Sequence, residues 1–178
     1  MQRHATNGCV LYQQTQPEVA VPFGAPSVVP SQIEREILIE APIDVVWRVV
    51  TEPDQINQWF NDEAELDLRA GGEGRLTFNA RASFRVQVEA VEPPRRFAFR
   101  WAHPEGAGAD PENSMLVEFT LRAEAGNTRL RVVESGFDTI DWTEERKEKY
   151  AEDHSDGWQF YLGRLRDSAP KVKGSPQE

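Results

Sequence analysis

Apolar and charged residues alternate from Ile33, where Ile33, Ile37 and Ile39 are interleaved with Glu34, Glu36 and Glu40. This predicts a first strand with one buried face. The alternation breaks at Ala41-Pro42. Ile43, Val46, Trp47 and Val50 then fall at i, i+3, i+4 and i+7, one face of a helix whose first turn accommodates Pro42 without losing a hydrogen bond. On this reading Trp47 anchors the helix in the core. Pro53 restarts the pattern, and Ile56, Trp59 and Phe60 repeat the i, i+3, i+4 spacing on a second short helix with Asp54 in its first turn.

The middle of the chain reads as strands. Residues 64–68 and 74–80 are the first two, separated by Gly71-Gly72, with Leu76 and Phe78 on one face. Over residues 83–91, Phe84, Val86, Val88 and Ala90 face one way and Arg85, Gln87 and Glu89 the other, until Glu92-Pro93-Pro94 closes the run. Phe97, Phe99 and Trp101 alternate with Ala98 and Arg100, and a polar loop follows over residues 102–114. Val117, Phe119 and Leu121 set the period of the next strand. Leu130 and Val132 set the last, and strict alternation puts Glu134 on their face, where an inward carboxylate needs a partner such as Arg75, Arg81 or Tyr161. A long helix ends the pattern, capped by Asp141 or Thr143. Tyr150, His154, Trp158, Tyr161, Leu162 and Leu165 share one stripe of it with Gly157.

This order predicts an α+β domain over residues 32–168, a curved antiparallel sheet of about six or seven strands wrapped around the long C-terminal helix. Bulky aromatics on both surfaces would hold the layers apart, so an internal cavity is expected between them. Residues 1–31 have no period of 2 or 3.6 and read as a flexible arm, and residues 169–178 as a flexible tail. Phe23 and Val28 give the arm apolar positions suited to docking.

Composition narrows the function classes. Thirty acidic against 20 basic residues give a net charge of −10, which repels phosphate backbones and argues against nucleic acid. The basic and aromatic run from Arg95 to Trp101 does not change this, because Phe97, Phe99 and Trp101 are needed by the core. No apolar run approaches a membrane span, and a cytoplasmic location is expected. Cys9 is the only cysteine and reads as a free thiol. His4, His103 and His154 lie far apart, so no metal site is indicated; no nucleophile elbow or phosphate-cradling loop is present, and no cofactor is expected.

Six local signatures occur in order: Ala41-Pro42 with Val46-Trp47; Trp59-Phe60; Asp67-Leu68-Arg69 with Gly71-Gly72; Glu92-Pro93-Pro94 with Arg96 and the stretch from Phe99 to Trp101; Thr128 to Leu130 leading to Ser135-Gly136-Phe137; and Gly157-Trp158 with Leu162 and Leu165. With them the chain resembles the START-like (SRPBCC, Bet v 1-like) helix-grip superfamily. Within it, the chain resembles proteins similar to the C-terminal domain of the activator of heat shock protein 90 ATPase. The resemblance implies a space between sheet and C-terminal helix that takes an apolar ligand such as a lipid or polyketide. The activator also has a separate N-terminal domain that engages the chaperone, and residues 1–31 are too short and unpatterned to be one.

The reading that follows is non-catalytic binding of a small hydrophobic molecule by Trp59, Phe60, Phe78, Phe84, Phe99, Trp101, Phe119, Glu134, His154, Trp158 and Tyr161, in a monomer or homodimer. Trp59 and Phe60 would either cap the core or gate the mouth. Two alternatives stay open. One is a chaperone-associated, stress-response interaction module; the other is a cyclase or dehydratase-type enzyme using His154 and Glu134 in the same cavity.

Overall fold

The computed structural model describes residues 28–102, 109–110 and 112–172. Alternation becomes strand where expected: β1 is Gln32–Ile39, β2 Glu63–Leu66, β3 Glu73–Phe78, β4 Ala82–Glu92, β5 Arg96–Ala102, β6 Ser114–Glu124 and β7 Asn127–Ser135. They form one antiparallel sheet in the order β1-β7-β6-β5-β4-β3-β2. Six strands follow one another as a meander, and β1 closes onto the last of them. The two short helices, α1 (Ile43–Thr51) and α2 (Pro53–Trp59), therefore carry the chain from one edge of the sheet to the other.

The long helix α3 is Glu144–Ser168, and Thr143 is its N-cap, its side chain accepting a hydrogen bond from the Arg146 amide at 3.4 Å. Ala151, His154, Gly157, Trp158, Leu162 and Leu165 are its buried residues, facing the sheet. Three further contacts fasten it. Arg35 of β1 donates to the Ser155 hydroxyl, Arg164 donates to the Gln58 carbonyl of α2 at 2.9 Å, and Lys147 donates to the Asp138 carbonyl at 3.1 Å. The chain does not become a tail at Ala169. That residue is fully buried in a 3-10 turn, Ala169–Lys171, and Val172 packs on the core. Of the arm, only residues from Val28 onward are described; Val28 is exposed, and Cys9 and Phe23 lie outside the described residues.

Two helical expectations change. α1 buries Val45, Val46, Val49, Val50 and Thr51, while Trp47 is only partly buried, so the core-facing stripe is rotated from the one read off Trp47 and Ile43. The anchoring indole belongs to Trp59 instead. It is buried and donates from Nε1 to the Val49 carbonyl at 2.9 Å, tying α2 to α1. The turn at Gly71-Gly72 is also specific: a Cβ on Gly72 would lie 2.0 Å from the Asp67 carbonyl oxygen, while the Gly72 carbonyl accepts from the Val88 amide at 2.8 Å.

The outer face of the sheet is a mesh of ion pairs. Arg131 grips Glu34 with two bonds of 2.6 and 2.7 Å, and Arg129 reaches both Glu124 and Glu36. The Arg131 hydrogen bond holds the Glu34 carboxyl below its usual range, although burial opposes it. These pairs are solvated and contribute little each to stability. The core does far more, and Trp59→Phe, which loses the bond to Val49 and leaves a void, should destabilise the protein by about 1–3 kcal/mol in urea unfolding.

Candidate functional site

The inward face of β7 is Thr128, Leu130, Val132 and Glu134, as alternation predicts. Glu134 is fully buried with 0% exposure, which for an isolated carboxylate is prohibitive. Its partners are neither Arg75, Arg81 nor Tyr161. Trp101 of β5 donates from Nε1 to Oε1 at 2.9 Å, Trp158 of α3 donates from Nε1 to Oε2 at 2.6 Å, and His154 places Nδ1 at 3.0 and 2.9 Å from the two oxygens. Indole N–H groups only donate. Both carboxyl oxygens thus act as acceptors, and His154 completes the set as the third donor, with Nδ1 carrying its hydrogen in the tautomer this network assigns.

His154 is 5% exposed and boxed by rings: Tyr150 with centroids at 3.9 Å, Trp101 at 5.4 Å and Phe137 at 6.0 Å. Its second nitrogen, Nε2, is buried and has no hydrogen-bond partner among the described residues. Phe137 follows Gly136, which has φ +110° and whose Cβ would sit 3.1 Å from the Ser114 carbonyl oxygen. Sequence reasoning did not place Phe137 at the site, because it lies past the end of the alternation. Burial first, then the negative charge of Glu134, pushes the Tyr150 phenol well above the ordinary tyrosine range; Arg146 opposes this and Asp153 adds to it.

Between α3 and the sheet lies a crevice of about 20 Å³ lined by Phe60, Trp101, Asp153, His154, Gly157, Trp158 and Tyr161. About 10–15 Å³ suffices for one water-sized group, so this is room for a single polar atom rather than a lipid. A second void of about 10 Å³ is lined by nine side chains including Trp59, Phe60, Phe99 and Phe119. Among the described residues the spacious interior expected from the sequence is thus filled by rings. Phe60 stacks on Trp158 at 5.4 Å with planes 11° apart and meets Phe78 and Tyr161 edge-on; Phe84 packs on Phe78 and Trp101. The aromatics do not hold the layers apart but interlock across them. Trp59 and Phe60 accordingly cap the core, both buried.

The expected site residues therefore separate into groups. Phe60, Trp101, His154, Trp158 and Tyr161 meet at the crevice with Glu134 bonded behind them. Trp59, Phe99 and Phe119 belong to the second void, and Phe78 and Phe84 to the packing beside the crevice. Phe97 lines the second void as well and was legible from the same period as Phe99. Asp153, exposed on α3, was missed because it lies one position off the apolar stripe. Among the described residues no group of three or more His, Cys, Asp or Glu is placed to hold a metal, and no helix is long and apolar enough to cross a membrane.

The sequence model of the family described as Activator of Hsp90 ATPase homolog 1-like protein matches residues 40–169. Among solved structures, the protein MLL2253 from Mesorhizobium loti is 22% identical with a TM-score of 0.67, over 80% of this chain and 99% of that one. DynU16, described as a putative protein in the dynemicin biosynthetic locus, is 26% identical with a TM-score of 0.65, over 79% of this chain and 48% of that one. The Aha1 dimer from Colwellia psychrerythraea is 19% identical with a TM-score of 0.65, over 80% of this chain and 98% of that one. No curated protein matches the chain.

Two outcomes follow from the buried network. Glu134→Gln turns one acceptor oxygen into an NH2 group facing an N–H donor, and should cost about 3 kcal/mol of stability in urea unfolding, against about 1–3 kcal/mol for Trp158→Phe. The raised Tyr150 pKa means that the folded protein favours the neutral phenol. Its contribution is complete below the unfolded tyrosine value near pH 10 and is lost as pH rises from there through the folded value. Unfolding free energy should therefore fall steeply above about pH 10, and Tyr150→Phe should make that fall shallower.

Proposed function

From the premise that this chain belongs to the Activator of Hsp90 ATPase homolog 1-like family, we propose that it binds a small, largely apolar molecule where α3 meets the sheet. The observation that supports this reading is the buried Glu134–His154 pair beside the crevice, with Nε2 left without a partner. Replacing a buried ionic cluster with well-packed apolar side chains is often neutral or stabilising, so joining helix to sheet is a task that apolar packing could also perform. The cluster is suited to recognition: one buried polar atom in an aromatic wall fixes the orientation of a ligand whose remaining surface is apolar. The ligand enters by turning aside Tyr161, which is only partly buried, and Phe60 behind it. The placement of DynU16 in a biosynthetic locus is consistent with a small-molecule ligand. Phe78, Phe84, Phe99 and Phe119 support the wall from behind, and Trp59 holds α2 in place.

The family description favours one second reading, a module that works on an Hsp90-type chaperone. A chaperone ATPase assay separates the two, since a ligand binder leaves turnover unchanged.

Gently purified protein in native mass spectrometry should carry, or take up on addition, one apolar aromatic molecule per chain. Tyr161→Ala, which opens the rim, should raise the uptake of an anilinonaphthalene probe several-fold, while Trp142→Ala, on the far side of Tyr150, should leave it unchanged. Failure of the wild-type protein to take up any such probe would overturn the reading.

A further inference from the structure

We propose that the ligand meets His154 with a hydroxyl group, and that the preferred ligand is a neutral hydroxylated aromatic ring; this rests on the binding site proposed above. Nδ1 is committed to Glu134, which has both oxygens occupied by donors. The imidazole lines the crevice, and of its two nitrogens only Nε2 is left to meet a ligand. In the neutral ring Nε2 offers a lone pair, and in the imidazolium it offers a second N–H. A hydroxyl, which both donates and accepts, answers either state. An ether or ketone answers one of them, and an ammonium the other.

Size and charge narrow the class further. As it stands the crevice of about 20 Å³ holds an oxygen and its hydrogen, and the rest of the ligand takes the space that Tyr161 vacates. Asp153 lies on the lining, and the Glu134 carboxylate sits directly behind the imidazole, so an anionic head group such as that of a fatty acid meets two negative charges. The walls are rings: Phe60, Trp101, Trp158 and Tyr161, with Phe60 and Trp158 already stacked nearly parallel, 11° between their planes. A flat ring attached to the hydroxyl continues that stack, and an alkyl chain does not. The hydroxyl thus takes the buried position, and the ring lies against the aromatic wall once Tyr161 has turned away.

The test is isothermal titration of the intact protein with 2-naphthol, 2-methoxynaphthalene and naphthalene. The naphthol should bind about tenfold more tightly than either analogue, the worth of one buried hydrogen bond. His154→Asn keeps an amide donor for Glu134 but removes Nε2, and should bring the three affinities together. As a check that needs no variant, the Nε2 nitrogen-15 resonance of the wild-type protein should shift on adding naphthol and stay in place with naphthalene. Equal affinities for all three in the wild-type protein, or an Nε2 resonance indifferent to naphthol, would overturn hydroxyl recognition while leaving apolar binding intact. Binding of none of the three would overturn both this inference and the binding site on which it rests.

Discussion

The Glu134 carboxylate is the point at which the layers of this domain are joined. It sits on β7, takes one hydrogen bond from β5 and takes the others from two successive turns of α3. A carboxylate with no access to water costs several kcal/mol unless its lone pairs are answered, so the helix cannot slide or rotate without exposing that cost. The helix register is set here rather than by its apolar stripe, which alone would tolerate small displacements. The contacts from Arg35 to Ser155 and from Arg164 to Gln58 then pin its flanks to β1 and α2.

Around that polar point the interior is closed by interlocked rings rather than left open. Stacked and edge-on aromatic pairs each add about 0.5–1.5 kcal/mol beyond their buried area. Opening the interface around a ligand therefore means exchanging ring contacts within the protein for ring contacts with the guest. An aromatic guest makes that exchange nearly even, whereas a saturated chain forfeits the directional part of it. Tyr161, partly exposed and joined to Phe60 and Phe78 by edge and tilted contacts, stands at the rim of this set of rings.

Most of the architecture was legible in the alternation of apolar residues, because a buried sheet face imposes period two whatever its neighbours are. The same rule put Glu134 inside, and helical spacing put His154 and Trp158 on one stripe. That Trp101 and Trp158 would be the partners of Glu134 was not legible. Indole direction depends on rotamer and on the relative setting of helix and sheet, neither of which the residue order contains. The expected cavity failed for a related reason. Counting aromatics says how much volume is available to fill a space, not whether the rings interdigitate. Trp47 misled because size was taken for burial; the valines of α1 fill the narrow gap over the sheet, and the large ring is left at its margin.

The pairing of β1 with β7 places Ile33 opposite Glu134, and Gln32 opposite Ser135, joining residues about a hundred positions apart. Closing so long a loop is entropically slow and must precede the contacts that repay it. During synthesis the chain therefore emerges with its first strand lacking a neighbour until nearly all of the sheet has appeared, and α3 is made later still. Through that interval Glu134 remains hydrated and the inner aromatic face uncovered. The site comes into being only with the middle turns of the last helix, so that its assembly comes close to the completion of the domain.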